Sequence, residues 1–204
     1  VANASGDAST TVDNSACKSN QLSPTCLNSL AVQARWLAQQ IEWHLLGNHL
    51  FANAKALVFV GTFFGGEGSR TWLNQGLKVI RQQLPEQVLE DGGNFERSPM
   101  YHAIFLEDLL DLINLNRRYP RLLPSYDVES WTVCAGKMLI WLELMCHPDG
   151  EISLFNDAAI GIAPSPTELF AYAKRLGVET HNIQADLSLT RNSTHARSPS
   201  VQFC

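Results

Sequence analysis

Two short stretches of this chain crowd proton-carrying side chains into otherwise apolar sequence. Gly47-Asn48-His49 separates two strongly apolar runs, and residues 92–102, GGNFERSPMYH, gather an amide, a carboxylate, a guanidinium, a phenol and an imidazole. Ser98-Pro99 is an N-cap followed by proline at the first helical position, so Tyr101 and His102 fall in a helix's first turn. Asn48 likewise opens a helix after the break at Gly47. Helix starts carry unpaired N–H groups and a partial positive charge, which favour anions. The chemistry open to such residues is acid–base work beside a bound anion. Taken singly, each has an ordinary structural use. Asn48 suits a helix cap, His49 and His102 suit exposed or core histidines, Tyr101 a packing residue, and Glu96 with Arg97 a surface ion pair of little worth. Only the combination points to the wall of a cleft.

Those residues need elements to position them. Leu27, Leu30, Ala34, Leu37, Ile41 and Leu45 recur at steps of three and four, predicting a first helix that Gly47 ends. A second, apolar on nearly every side, is predicted from about Asn48 to Phe64, and a third from about Arg70 to Leu84 after the turn GGEGS. The helix opened by Ser98-Pro99 runs to about Arg118. Trp131, Cys134, Met138, Trp141 and Met145 mark a fifth, stopping at His147-Pro148-Asp149-Gly150. Residues 151–164 hold a short strand or a loop. Ser165-Pro166-Thr167-Glu168 is a capping box opening a last helix through Arg175, closed by Gly177. The expected organisation is a loose polar arm over 1–24, a helical domain over 25–178 and an irregular tail over 179–204. The fold class is all-α. Short links between amphipathic helices favour antiparallel hairpins, and no sequence repeat is visible. An incomplete α/α toroid fits better than a plain bundle. Stacked hairpins would put the starts of alternate helices, and so Asn48 and Tyr101, on one rim.

Composition narrows the function. The 204 residues are 45% hydrophobic and 17% charged with a formal net charge of -5, which argues for a folded domain and against a nucleic-acid partner. No apolar run reaches the roughly 18 residues of a membrane-spanning helix; Ala54 to Phe64 is the longest and contains Lys55. No signal peptide is visible at the start. Cysteines at 17, 26, 134, 146 and 204 form no CxxC pair and give no metal signature. Cys134 and Cys146 lie about 18 Å apart on one predicted helix, too far to bridge. Cys17 and Cys26 can pair in an oxidising compartment.

LLGNHLFANAKAL, GGNFERSPMYHAIFLEDLLDL and HPDGEISLFNDAA, in that order, resemble the toroid domain of the heparinase II/III-like polysaccharide lyases, including their alginate-lyase-like relatives. The likeness covers about residues 27–178. It implies an incomplete α/α toroid followed by an antiparallel β-sandwich, with substrate bound between them. The implied reaction is β-elimination on a uronic-acid-containing polysaccharide of the heparin, heparan sulfate or alginate kind. Carried over by motif, Asn48 would neutralise the uronate carboxylate. Tyr101 would protonate the leaving oxygen and can also take the C5 proton, and His49 would assist. Asn94, Glu96, Arg97, His102 and Asn156 are expected to contact the acidic polysaccharide. Asn94 stands where the family commonly has histidine. The resemblance implies no metal and no cofactor, and a periplasmic or secreted setting. The 204 residues do not contain the β-sandwich, so the chain is expected to be part of a lyase. Two other readings stay open. One is an α/α-barrel glycoside hydrolase with a carboxylate pair drawn from Asp91, Glu96 and Asp157; the other is a non-catalytic helical domain that binds a glycan or a partner.

Overall fold

The computed structural model describes residues 22–45 and 47–178. Over these the chain is helical: α1 Pro24–Gln39, α2 Asn48–Phe63, α3 Glu67–Gln87, α4 Pro99–Arg118, α5 Ser125–Leu144 and α6 Pro166–Leu176. The starts follow local chemistry. Ser23 Oγ accepts from Cys26 N–H at 3.2 Å with Pro24 behind it, and Ser98 and Ser165 open α4 and α6 in the same way. The Ser165–Glu168 capping box and the left-handed Gly177 close α6 at both ends as expected. No helix among the described residues is long and apolar enough to cross a membrane. Cys134 and Cys146 carry free thiols. The Cys17 pairing, the tail over 179–204 and nearly all of the expected arm lie outside the described residues.

The first helix is shorter than the periodicity predicts. It ends at Gln39, although Ile41 still lies in the core. Glu42 N–H donates to Asn53 Oδ1 at 3.2 Å and Asn53 Nδ2 returns a bond to Glu42 Oε2 at 3.0 Å. This clamp from α2 takes over a backbone donor that a longer helix would have used. α3 is longer than expected, running through Pro85 in its last turn.

Of the described helices α2 to α6, three run one way and two return. α3 lies antiparallel to α2, with backbones touching where Gly61 and Gly76 stand. A Cβ there would fall 2.5 Å from Leu73 N and 2.6 Å from Ala54 O. α2 and α4 run parallel: Phe51 meets Phe105 at 4.2 Å, and further along Lys55 Nζ reaches Asp108 and Asp111 at 2.6 Å each. α6 is parallel to α4, since Tyr172 donates to Asp111 at 2.9 Å and Arg117 to Arg175 O at 2.5 Å. α5 returns against α4, where His102 meets Met138 and Trp141. α4 is the central element. Ala103, Phe105, Leu106, Leu109, Leu110 and Leu112 are buried along it, and each large side chain so buried contributes roughly 1.5–3 kcal/mol. The result is an all-α, incomplete α/α toroid of helical hairpins.

A structural repeat runs through it that the sequence does not advertise. Isolated antiparallel bridges join Val88 to Asn94 and, 58 residues on, Cys146 to Ile152. Each closes a turn at the end of a returning helix. Phe95 N–H bonds Gln87 O and Leu89 N–H bonds Gly93 O, both at 2.9 Å; Ser153 bonds Met145 O at 3.0 Å and His147 bonds Glu151 O at 2.8 Å. Asp91 accepts from Gly93 N–H and Asp149 from Glu151 N–H. Buried positions follow the same shift: Leu73 and Trp131, Leu77 and Ala135, Ile80 and Met138, Leu84 and Leu142. The two turns share a backbone plan and almost no side chains.

Candidate functional site on the rim

The parallel pairing of α2 and α4 decides where the candidates stand. Phe51 follows Asn48 by three residues and Phe105 follows Tyr101 by four, one helical turn in each case. The phenyl contact therefore sets the two helix starts side by side on one rim. Asn48 and Tyr101 are half-buried there and His49 is exposed.

Gly47 joins the first stretch to the second. It precedes α2 at φ 76° and offers no side-chain cap. Glu96 fills the space instead: a Cβ on Gly47 would lie 2.6 Å from Glu96 Oε1 and 3.5 Å from Phe95 Cζ. A carboxylate over this helix start complements its partial positive charge. Gln87 fastens the junction, donating through Nε2 to Gly47 O at 2.9 Å and to Gln83 Oε1 at 2.8 Å, while its carbonyl holds Phe95 N–H. The third stretch arrives through Asn156, at φ 50°, whose Nδ2 donates to Arg97 O at 3.0 Å. Asn156 and Arg97 are both exposed and Glu96 is half-buried. Segments around 47, 92–102 and 156 thus meet along one edge.

Two expected substrate contacts are not available to a substrate. Asn94 is 2% exposed and His102 is 0% exposed. Asn94 Oδ1 accepts from Glu96 N–H at 3.0 Å, which shapes the turn. His102 Nδ1 accepts from Asn94 N–H at 3.2 Å, Nε2 bonds Met138 O at 2.9 Å, and the ring stacks on Trp141 at 4.4 Å. Burial pushes its pKa down to about 4, outweighing the Met138 bond and nearby Asp91, which pull it up. Sequence did hold a signal here. Positions 102, 105, 106, 109, 110 and 113 form the buried stripe of α4, and His102 lies on it while Tyr101 does not. Gln87 was missed. It is 1% exposed, and Gln83 and Gln87 are polar steps on the apolar stripe of Leu77, Ile80 and Leu84; its Oε1 has no partner among the described residues.

Of the carboxylates considered for a hydrolase pair, Asp91 shapes its own turn, its Oδ1 accepting from Gly93 N–H at 2.9 Å. Among the described residues no group of three or more His, Cys, Asp and Glu is placed to hold a metal ion. A groove of 640 Å³ runs between α3 and α5, lined by Arg81, Trp131 and Lys137 among others. None of the candidate residues lines it.

Comparison with known proteins agrees with the fold. The sequence profile of the family described as Heparinase II/III N-terminus matches residues 11–173. A heparin-sulfate lyase of Pedobacter heparinus is 28% identical over 141 residues, covering 66% of this chain and 20% of that protein. The heparin-sulfate lyase of Bacteroides stercoris is 26% identical over 121 residues, covering 56% and 17%. Among solved structures, heparan sulfate lyase from Pedobacter heparinus superposes with a TM-score of 0.52 at 27% identity, covering 64% of this chain and 20% of that one. A mutant of that enzyme gives 0.60 at 22% identity over 88% of this chain and 27% of its own, which speaks for the fold. The chain spans about a fifth of the length of the curated relatives it matches.

Proposed function

Because the chain belongs to the Heparinase II/III N-terminus family, we propose that it forms the helical wall of a lyase that cleaves a uronic-acid-containing polysaccharide of the heparan sulfate kind by β-elimination. The observation that carries this reading is the parallel pairing of α2 and α4, which sets Asn48 and Tyr101 side by side on one rim. In this reaction the uronate C5–H proton leaves to a base, its electron pair forms the C4–C5 double bond, and the bond to the oxygen on C4 breaks. Removing a proton next to a carboxylate piles charge onto an anion. Asn48, with His49 beside it, lowers that barrier by hydrogen-bonding the carboxylate, as an oxyanion hole does for an acyl oxygen. Tyr101 as phenolate can take the C5 proton and then give it to the departing oxygen, which returns the phenolate; where another group is the base, Tyr101 gives its own phenolic proton to that oxygen and is reprotonated from solvent. Arg97 and Asn156 stand along the same edge to meet the polyanion. A β-sandwich domain closing the opposite side is the partner this reading assigns.

The test is incubation of the chain, joined to the β-sandwich domain this reading assigns, with heparan sulfate and, in parallel, alginate, following the ultraviolet absorbance of the unsaturated uronate. Signal with heparan sulfate that disappears in Tyr101→Phe, with unchanged circular dichroism, supports the reading. An undiminished signal in that variant removes Tyr101 from the mechanism. New reducing ends without the absorbing double bond would indicate a hydrolase, and salt-sensitive binding without product a glycan-binding domain.

A further inference from the structure

We infer that His102 is the positioning residue of this site: its two ring nitrogens tie the 92–97 turn to α5 and so hold Glu96 and Tyr101 towards Asn48, an assignment that rests on the lyase reading above. The hydrogen bonds fix the ring's state. A backbone N–H only donates and a carbonyl only accepts. Asn94 N–H therefore requires a bare Nδ1, and Met138 O requires the proton on Nε2. One neutral tautomer satisfies both, and no other side chain bridges the turn to α5 in this way among the described residues.

The turn needs such a fastener. It lies flat on α5 only because two glycines let it: a Cβ on Gly92 would fall 2.4 Å from Lys137 O, and one on Gly93 2.7 Å from Trp141 Nε1. Close approach alone supplies no directional bond. His102 supplies it, clamped against Trp141 with ring centroids 4.4 Å apart and 29° between planes. Tyr101 is its neighbour in the first turn of α4, one step of about 100° around the helix. Anchoring His102 inward therefore sets the direction of the half-buried phenol. Through Asn94 the same ring sets Glu96, whose N–H is held by Asn94 Oδ1 at 3.0 Å. Among the described residues the titratable side chain that pulls on the ring is Asp91, and burial keeps the imidazole neutral against it.

Substitution separates the two nitrogens. Asn in place of His102 can put an acceptor near Nδ1, and Gln can put a donor near Nε2. In the 15N-labelled full chain at neutral pH, the imidazole shifts should report the Nε2–H tautomer and the Asn94 amide should be protected from hydrogen exchange. His102→Asn should retain that protection, and His102→Gln should lose it while keeping a similar melting temperature. In the elimination assay, His102→Gln should lower kcat on the order of 10- to 100-fold with KM little changed, and His102→Asn should recover most of it. An Nδ1–H or charged ring, an Asn94 amide exchanging as fast as open loop, or equal loss in both variants overturns the assignment. If the wild-type chain shows the lock by NMR but gives no product on either polysaccharide even when joined to the β-sandwich domain, the lyase reading fails and the fastening of the turn stands.

Discussion

Phe51 and Phe105 meet in a tilted contact, ring centroids 4.2 Å apart with 40° between planes, one turn inside the starts of α2 and α4. Both rings are buried, at 0% and 1% exposure, so the contact cannot slip without opening a cavity. Phe105→Ala should cost about 3–5 kcal/mol in chemical denaturation. It should also lower kcat more than Phe105→Leu does, because the shared level of Asn48 and Tyr101 depends on it. Equal turnover in both variants would separate the register of α2 and α4 from the chemistry.

Gly47→Ala meets two obstacles. Its φ of 76° disfavours any side chain, and the new methyl collides with Glu96 Oε1 at 2.6 Å. The expected loss is about 1–3 kcal/mol for the backbone, plus a part that Glu96→Ala relieves, since a carboxylate end can move. A double-mutant cycle over the two sites measures that part. Strict additivity would show that Glu96 does not rest on α2.

Asn48 and Asn156 should fail differently. Asn48→Ala is expected to reduce kcat/KM by about 10²–10³, as for loss of an oxyanion-hole donor, with the melting temperature unmoved. Asn156→Gly keeps the positive φ and removes only the amide bonded to Arg97 O, so it should cost about 0.5–1.5 kcal/mol of local stability and act mainly on KM. The reverse pattern in steady-state kinetics would exchange their roles.

Acid should loosen the rim through His102. Its pKa falls from an ordinary 6.5 to about 4 on folding, chiefly by burial. The unfolded chain therefore binds a proton that the folded one refuses. The stabilisation is present in full above pH 6.5 and is lost as the pH falls towards 4, on the order of 3 kcal/mol in all. Comparing urea unfolding of wild type and His102→Gln at pH 7.5 and pH 4.5 isolates this share from that of the carboxylates. A stability difference independent of pH would contradict it.

Most of the fold was legible because helix starts announce themselves locally. Ser98-Pro99 and the Ser165–Glu168 box each needed four or five residues to be read. The end of α1 was not legible, since the Asn53–Glu42 clamp that stops it joins residues eleven apart through a tertiary contact. The inward turn of His102 could have been read from the stripe of α4; its chemical appeal masked its place in the period. Gln87 could not be valued without knowing that Gly47 O would sit at 2.9 Å. The doubled turn was hidden because only Asp91-Gly92 and Asp149-Gly150 are spelled alike at matching positions.

That doubling separates frame from cargo. Backbone bonds and one aspartate close each loop, leaving the outward side chains free to differ. The earlier copy displays Glu96 and Arg97, while the later one displays Leu154 and Phe155, 55% and 40% exposed. One scaffold thus offers a polar lip and a greasy lip 58 residues apart along the chain. Grafting Glu96-Arg97 onto 154–155 should change what the edge grips without disturbing the helices beneath, since Ile152 stays in the core.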